Sequence, residues 1–198
     1  MEDYRFGGHI IINADTTELD LYGIFGQTPI IYTDPPWNDY WVTRFSEGKH
    51  KSFIDLITNM AIQFKKFSSI MYIEMGRANI DTFLEIMDYN KATMLNLWKL
   101  PYKTSYSYLY RGYFNGKHEA LQKELPSGKG DEPIIELLDQ DIKTSLWEQP
   151  STILDPFIGV DGRTLFMAEK LGIKCRGVEI SPLKVKKLID KYYRIYGK

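Results

Sequence analysis

The chain has 198 residues, 43% of them hydrophobic and 14% aromatic, with 25 basic side chains against 26 acidic ones and a single cysteine. That length and apolar content suit one compact domain and exclude disorder; Cys175 alone excludes an intrachain disulfide and a thiolate zinc site, and His9, His50 and His118 lack the i, i+4 spacing of a helical metal pair. A net charge of −1 counts against a strongly basic nucleic-acid binder, in which positive excess supplies most of the affinity.

In chain order, the acidic opening Met1-Glu2-Asp3-Tyr4 has no apolar run, so no signal peptide is expected. No apolar stretch reaches the roughly 20 residues of a membrane span, and a soluble cytoplasmic protein is expected. Residues 9–13 (HIIIN) and 29–33 (PIIYT) read as short buried strands. Over 49–67 the apolar positions Phe53, Leu56, Ile57, Met60, Ala61 and Phe64 form a helical stripe. A strand follows at 69–74, a helix at 80–89, and strands at 93–98 and 105–110. Pro133 stands at a helix start, with Ile134, Leu137, Leu138 and Ile142 at helical spacing behind it. Strand 152–154, helix 164–171, strand 173–180 and helix 182–196 complete the chain. This alternation predicts an α/β domain over 1–198, with a mostly parallel central sheet and helices on both faces. No sizeable second domain is expected, only a short variable segment over about 113–131. Charge is uneven along the chain: residues 1–40 hold seven acids against Arg5, while 91–129 hold seven bases against Glu119 and Glu124.

Two loops carry chemistry. Near the C-terminus, Asp155-Pro156-Phe157-Ile158-Gly159-Val160-Asp161-Gly162 lies between a strand and a helix, where glycines let the backbone turn tightly and approach a ligand. Glu179 ends the next strand about 20 residues on, where doubly wound nucleotide binders place an acid on two ribose hydroxyls. No Lys-Ser/Thr pair follows the glycines, which excludes a P-loop. Near the N-terminus, Asp34-Pro35-Pro36-Trp37 closes a strand. Consecutive prolines fix the backbone in an extended turn and aim the Asp34 carboxylate and the adjacent carbonyls beyond the sheet. Two such acceptors can hold both hydrogens of an exocyclic amine, and Trp37 offers a face for a planar base.

Asp34-Pro35-Pro36-Trp37 resembles the catalytic tetrad of S-adenosylmethionine-dependent amino-methyltransferases, and Asp155-Pro156-Phe157-Ile158-Gly159 resembles their cofactor motif. The tetrad precedes the cofactor loop, which is similar to the permuted, β-type order of N6-adenine and N4-cytosine enzymes. Ile12-Asn13-Ala14-Asp15, Leu97-Trp98-Lys99, the 132–138 helix start and Gly177-Val178-Glu179-Ile180 resemble further pieces in family order, so the likeness spans about residues 9–190. It departs from the family pattern in a glycine loop one residue longer and in Glu132 where lysine is usual.

The resemblance implies a Rossmann-like methyltransferase fold, S-adenosyl-L-methionine as cofactor, and methyl transfer to an exocyclic amine with no metal. Asp34, Pro35, Pro36 and Trp37 are the implied catalytic set, the last stacking on a flipped base. Asp155, Phe157, Gly159 and Gly162 would hold the methionine part of the cofactor, Glu179 its ribose and Asp15 its adenine. Adenine N6 of DNA is the expected target, with an RNA adenosine methyltransferase or a non-catalytic subunit of the same fold as alternatives. Within the aromatic-basic stretch 98–111, Lys99, Lys103 and Arg111 are the expected nucleic-acid contacts. The period-two tyrosines Tyr106, Tyr108 and Tyr110 fit equally one packed strand face. With so short a variable segment, reach is expected from a homodimer or a second, different subunit.

Overall fold

A computed structural model of the chain describes residues 2–102, 105–116, 118, 124–144 and 152–197. The strands are β1 (Glu2–Phe6), β2 (His9–Asn13), β3 (Ile30–Thr33), β4 (Ile70–Gly76), β5 (Thr93–Tyr102), β6 (Ser105–Tyr113), β7 (Thr152–Asp155) and β8 (Lys174–Glu179). The helices are α1 (Leu21–Phe25), α2 (Asp39–Phe45), α3 (Phe53–Phe64), α4 (Ile80–Tyr89), α5 (Glu132–Thr144), α6 (Arg163–Leu171) and α7 (Pro182–Tyr196). One eight-stranded sheet runs in the order β1-β2-β8-β7-β3-β4-β6-β5. The central pairs β2/β8, β8/β7, β7/β3 and β3/β4 are parallel, and β1 and the β5–β6 hairpin add antiparallel edges. The expected α/β architecture is therefore the observed one.

The central strands are apolar on both faces because both are covered. Every residue of β3, β4 and β7 is buried. Alternate residues feed two cores: Ile30, Tyr32, Tyr72 and Ile153 pack against α5, α6 and α7. Ile31, Met71, Ile73 and Leu154 pack against α1 to α4. The helix expected within 49–67 spans only its apolar stripe, Phe53–Phe64, because Ser52 caps α3, its Oγ accepting from Asp55 N at 3.1 Å. Three elements escaped the sequence pattern. β1 is a polar edge strand, and α1 and α2 span five and seven residues, too few to display a period. β5 continues through Pro101, which an edge strand tolerates because its outer N–H positions need no partner. No helix among the described residues is long and apolar enough to cross a membrane.

One expectation is overturned at this level. Arg111 is 1% exposed in the middle of β6 and cannot reach a nucleic acid. Its Nε and Nη2 donate to Asp141 of α5 at 2.9 and 2.6 Å, and Nε also reaches the Tyr72 hydroxyl at 3.1 Å. The guanidinium is thus a buried tie between sheet and helix. Tyr110 points into the opposite core, edge-on to Phe83 at 5.3 Å, which settles that tyrosine as packing.

Candidate functional site

β3 and β7 lie side by side at the centre of the sheet, and the chain leaves them towards opposite edges. Open α/β sheets form their ligand crevice at such a switch point, beyond the carboxyl ends of the strands. Here the two loops singled out in the sequence face one cleft of about 720 Å³, with Asp34, Pro35, Pro36 and Trp37 on one wall and the 155–161 loop on another.

Asp155 builds the glycine loop from within. Its Oδ1 accepts from Thr33 Oγ1 at 2.8 Å and from Phe157 N at 3.0 Å, and its Oδ2 accepts from Thr164 Oγ1 at 2.5 Å. The Thr33 bond joins the loop to the residue directly before Asp34. Burial to 3% exposure lifts the Asp155 carboxyl to about 6, against those three donors. The two glycines have different tasks. Gly159, at φ +62°, lines the cleft, and an added Cβ would meet only Phe157 O, at 3.9 Å, leaving it to project towards a ligand. Gly162, at φ +60°, caps α6 and turns inward, where an added Cβ would overlap Leu188 of α7. Gly162 does not line the cleft, so its expected cofactor contact is replaced by a packing role. Val160 and Asp161 before it are exposed.

Trp37 is braced rather than free-standing. A Cβ on Gly76 would stand 2.6 Å from its Cε3, so Gly76 is the seat of the indole. Asn79 Nδ2 donates to Trp37 O at 2.7 Å, and Trp37 Nε1 donates to Asp34 Oδ1 at 2.7 Å. Asp34 Oδ2 accepts nothing from the described residues. Burial within the cleft pushes the Asp34 carboxyl up to about 7, helped by the Glu74 carboxylate and opposed by the Trp37 N–H and Arg163. By area Asp34 is exposed because the cleft is open, so water there tempers the shift and a ligand filling the cleft restores it.

The surrounding shell was not legible as motifs. Arg163, the first residue of α6, lines the cleft and pairs through Nη1 with buried Glu74 and through Nε with Asp131 at 2.5 Å. The Tyr32 hydroxyl donates to the same Glu74 oxygen. A further wall comes from α2, whose cap Asn38 accepts from Trp41 N at 3.0 Å. Trp41 and Phe45 stack at 5.1 Å, with Arg44 over the first ring and Lys184 over the second. Their i, i+4 spacing was the only sequence signal.

The remaining expected residues divide. Glu179 is at the cleft, its Oε1 accepting from Ser181 N at 2.9 Å and facing Lys184 Nζ at 3.7 Å; its Oε2 has no partner among the described residues. Asp15 also lines the cleft, but Thr17 N and Oγ1 take its Oδ1 and His50 Nε2 lies 2.6 Å from its Oδ2. Against the effect of burial, those partners hold the Asp15 carboxyl below the usual range. Phe157 presents a half-buried ring to the cleft. Lys99 is exposed on β5, and Lys103 lies outside the described residues. Five carboxylates line the cleft (Asp15, Asp34, Asp155, Asp161 and Glu179) against two permanent cations, Arg163 and Lys184.

No family model matches the sequence, and no curated protein matches it. Solved structures do share its fold. M1.HpyAVI in its complex with SAM superposes with a TM-score of 0.58 at 17% identity, covering 91% of this chain and 98% of that one. TTHA0409 from Thermus thermophilus, described as a putative DNA modification methylase and complexed with S-adenosyl-L-methionine, gives 0.63 at 17%, covering 94% and 93%. PvuII DNA methyltransferase, cytosine-N4-specific, gives 0.58 at 13%, covering 97% and 94%. The fold is thus the one these three structures share, over nearly the whole of both chains.

Proposed function

We propose that the chain is an S-adenosylmethionine-dependent DNA methyltransferase acting on an exocyclic base amine, adenine N6 first. The observation that carries this is the meeting of Asp34–Trp37 and the 155–161 loop in one cleft at the switch point of the sheet. The fold, shared with structures named as a DNA modification methylase and a DNA methyltransferase and with one complexed with SAM, supports the same reading.

The residues suit the cofactor. Gly159 leaves room for a close approach, and Glu179 Oε2 is an acceptor without a protein partner among the described residues. The excess of carboxylates at the cleft favours a cationic ligand such as a sulfonium. When bound, S-adenosylmethionine would supply the electrophilic methyl group, its S–CH3 bond breaking with the electron pair left on sulfur as a neutral thioether. Glu179 would take the ribose, Phe157 and the backbone at Gly159 the methionine portion, and Asp15 the adenine through the acceptor capacity its caps leave.

Asp34 Oδ2 and the Pro35 carbonyl then accept the two N–H bonds of the target amine and aim its lone pair. As the nitrogen gains its fourth bond it becomes positive, and the Asp34 carboxylate attracts it more strongly; one N–H proton is afterwards released to Asp34 or water. This is catalysis by position and electrostatics. Trp37 holds the base plane and, through Nε1, the carboxylate.

Calorimetric titration with S-adenosylmethionine tests the reading, with one site per chain expected. Absence of binding would leave only a scaffold of the same fold. A second expectation concerns Gly76. Gly76→Ala unseats the indole and should lower kcat by about 10²-fold, since a displacement near 1 Å has that effect at a reacting centre. Cofactor affinity should hold. Turnover at the wild-type rate would show that the seat is dispensable.

A further inference from the structure

The cleft that would receive the base is acidic, so the phosphates of a bound strand must find cations elsewhere. A cationic surface begins at the cleft lip. Trp37 rests on Gly76, and the next residue, Arg77, opens the 3-10 turn Arg77–Asn79 with its side chain in solvent. Its Cζ lies 5.5 Å from the ring centroid of Tyr106, and Lys99 Nζ lies 4.9 Å from the same centroid.

Backbone pairing brings these groups together: Gly76 is opposite Ser107 across β4 and β6, and Lys99 and Pro101 are opposite Tyr108 and Tyr106 across β5 and β6. Tyr108 meets Tyr106 edge-on at 5.5 Å and so buttresses the ring. Both cations are exposed, and neither has an ion pair among the described residues. The nearby acid, Asp81 of α4, lies with Arg77 in the surroundings of the Tyr108 hydroxyl and forms no ion pair among the described residues. Two like charges drawn to one ring repel each other, and an anion between them relieves that repulsion.

We propose that Arg77 and Lys99, gathered on Tyr106, bind phosphates of the DNA strand that carries the target base, next to the nucleotide held at Trp37. This rests on the reading of the cleft as a base-methylating site. The patch contacts backbone and not base edges, so it sets position along the strand and contributes no sequence preference. Arg77 thereby takes the part that the sequence assigned to Arg111, while Lys99 keeps its own.

The test is steady-state methylation of a short single-stranded oligodeoxynucleotide, at several salt concentrations, by the wild type and the Arg77→Gln/Lys99→Gln double variant. Cofactor affinity, measured in parallel by calorimetry, reports folding. The expected result is a KM for the oligonucleotide raised about 10-fold and a salt slope reduced by about 1.4, about 0.7 per lost phosphate contact on a single strand. The kcat and cofactor affinity should be unchanged. If the wild type methylates the oligonucleotide and the double variant keeps its KM and salt slope, the patch is overturned and the methylating cleft stands. A wild type that binds cofactor yet methylates no nucleic acid overturns both. A KM effect confined to RNA of the same sequence overturns the assignment to DNA.

Discussion

Asp34→Asn is expected to lower kcat by about 10³-fold while cofactor affinity stays within a factor of about two, because only an interaction that strengthens as charge develops is lost. Asparagine keeps the size and the acceptor that Trp37 Nε1 uses, so the Asp34–Trp37 brace persists and the change isolates the negative charge. The pH profile supplies a second signature. With the carboxyl pushed up to about 7, the working ionised form is gained as pH rises. Wild-type kcat, which reports the ligand-filled cleft, should therefore show an acid limb near neutrality that the variant lacks.

Stability has the opposite sign. A carboxyl whose pKa is higher folded than unfolded contributes stability that is present below its unfolded value and lost as pH rises through its folded value. At pH 8 the Asp34→Asn protein should thus unfold at the same temperature as the wild type or higher. A loss of activity with that thermal profile cannot be ascribed to unfolding.

The second large effect falls on stability, far from the cleft. Asp141→Ala removes the carboxylate that pairs with Arg111 where both side chains are 2% exposed. A buried charge stripped of its partner costs about 3–5 kcal/mol. In a chain of this length that corresponds to a fall of roughly 10 °C in the thermal midpoint. Replacing both partners by apolar residues, Arg111→Met with Asp141→Leu, should recover most of the loss, since the penalty lies in breaking a buried pair from one side. Differential scanning calorimetry of the two proteins checks this. A midpoint unchanged in Asp141→Ala would mean that Arg111 finds solvent or another acceptor.

That pair shows where sequence reading stops. Arg111 sits in a basic, aromatic stretch, and its composition is that of a nucleic-acid contact. Its burial is set by the β4–β6 and β5–β6 registers and by a partner 30 residues away. The loops were legible because each owes its shape to neighbours in the chain: prolines fix 34–37, and glycines with Asp155 fix 155–162. Gly162 was half legible, since the need for glycine follows from the turn but the Leu188 side chain it makes room for comes from α7. Arg163, Glu74 and Gly76 carry no motif. They become a shell only when β3, β4 and α6 converge at the switch point. The order of strands and helices was readable throughout the parallel centre, where continuous apolar runs signal burial on both faces, and failed for β1, α1 and α2, which are short or polar.

On the proposed function, the cleft transfers a methyl group to an exocyclic base amine. The direct measurement is transfer of labelled methyl from S-adenosylmethionine to matched DNA and RNA oligonucleotides, followed by nuclease digestion and identification of the modified nucleoside. Label is expected in N6-methyladenine from DNA, and none with Asp34→Asn. Label in N4-methylcytosine or in RNA alone would correct the target and keep the chemistry. No labelled nucleoside from a wild-type protein that binds the cofactor would contradict the claim itself.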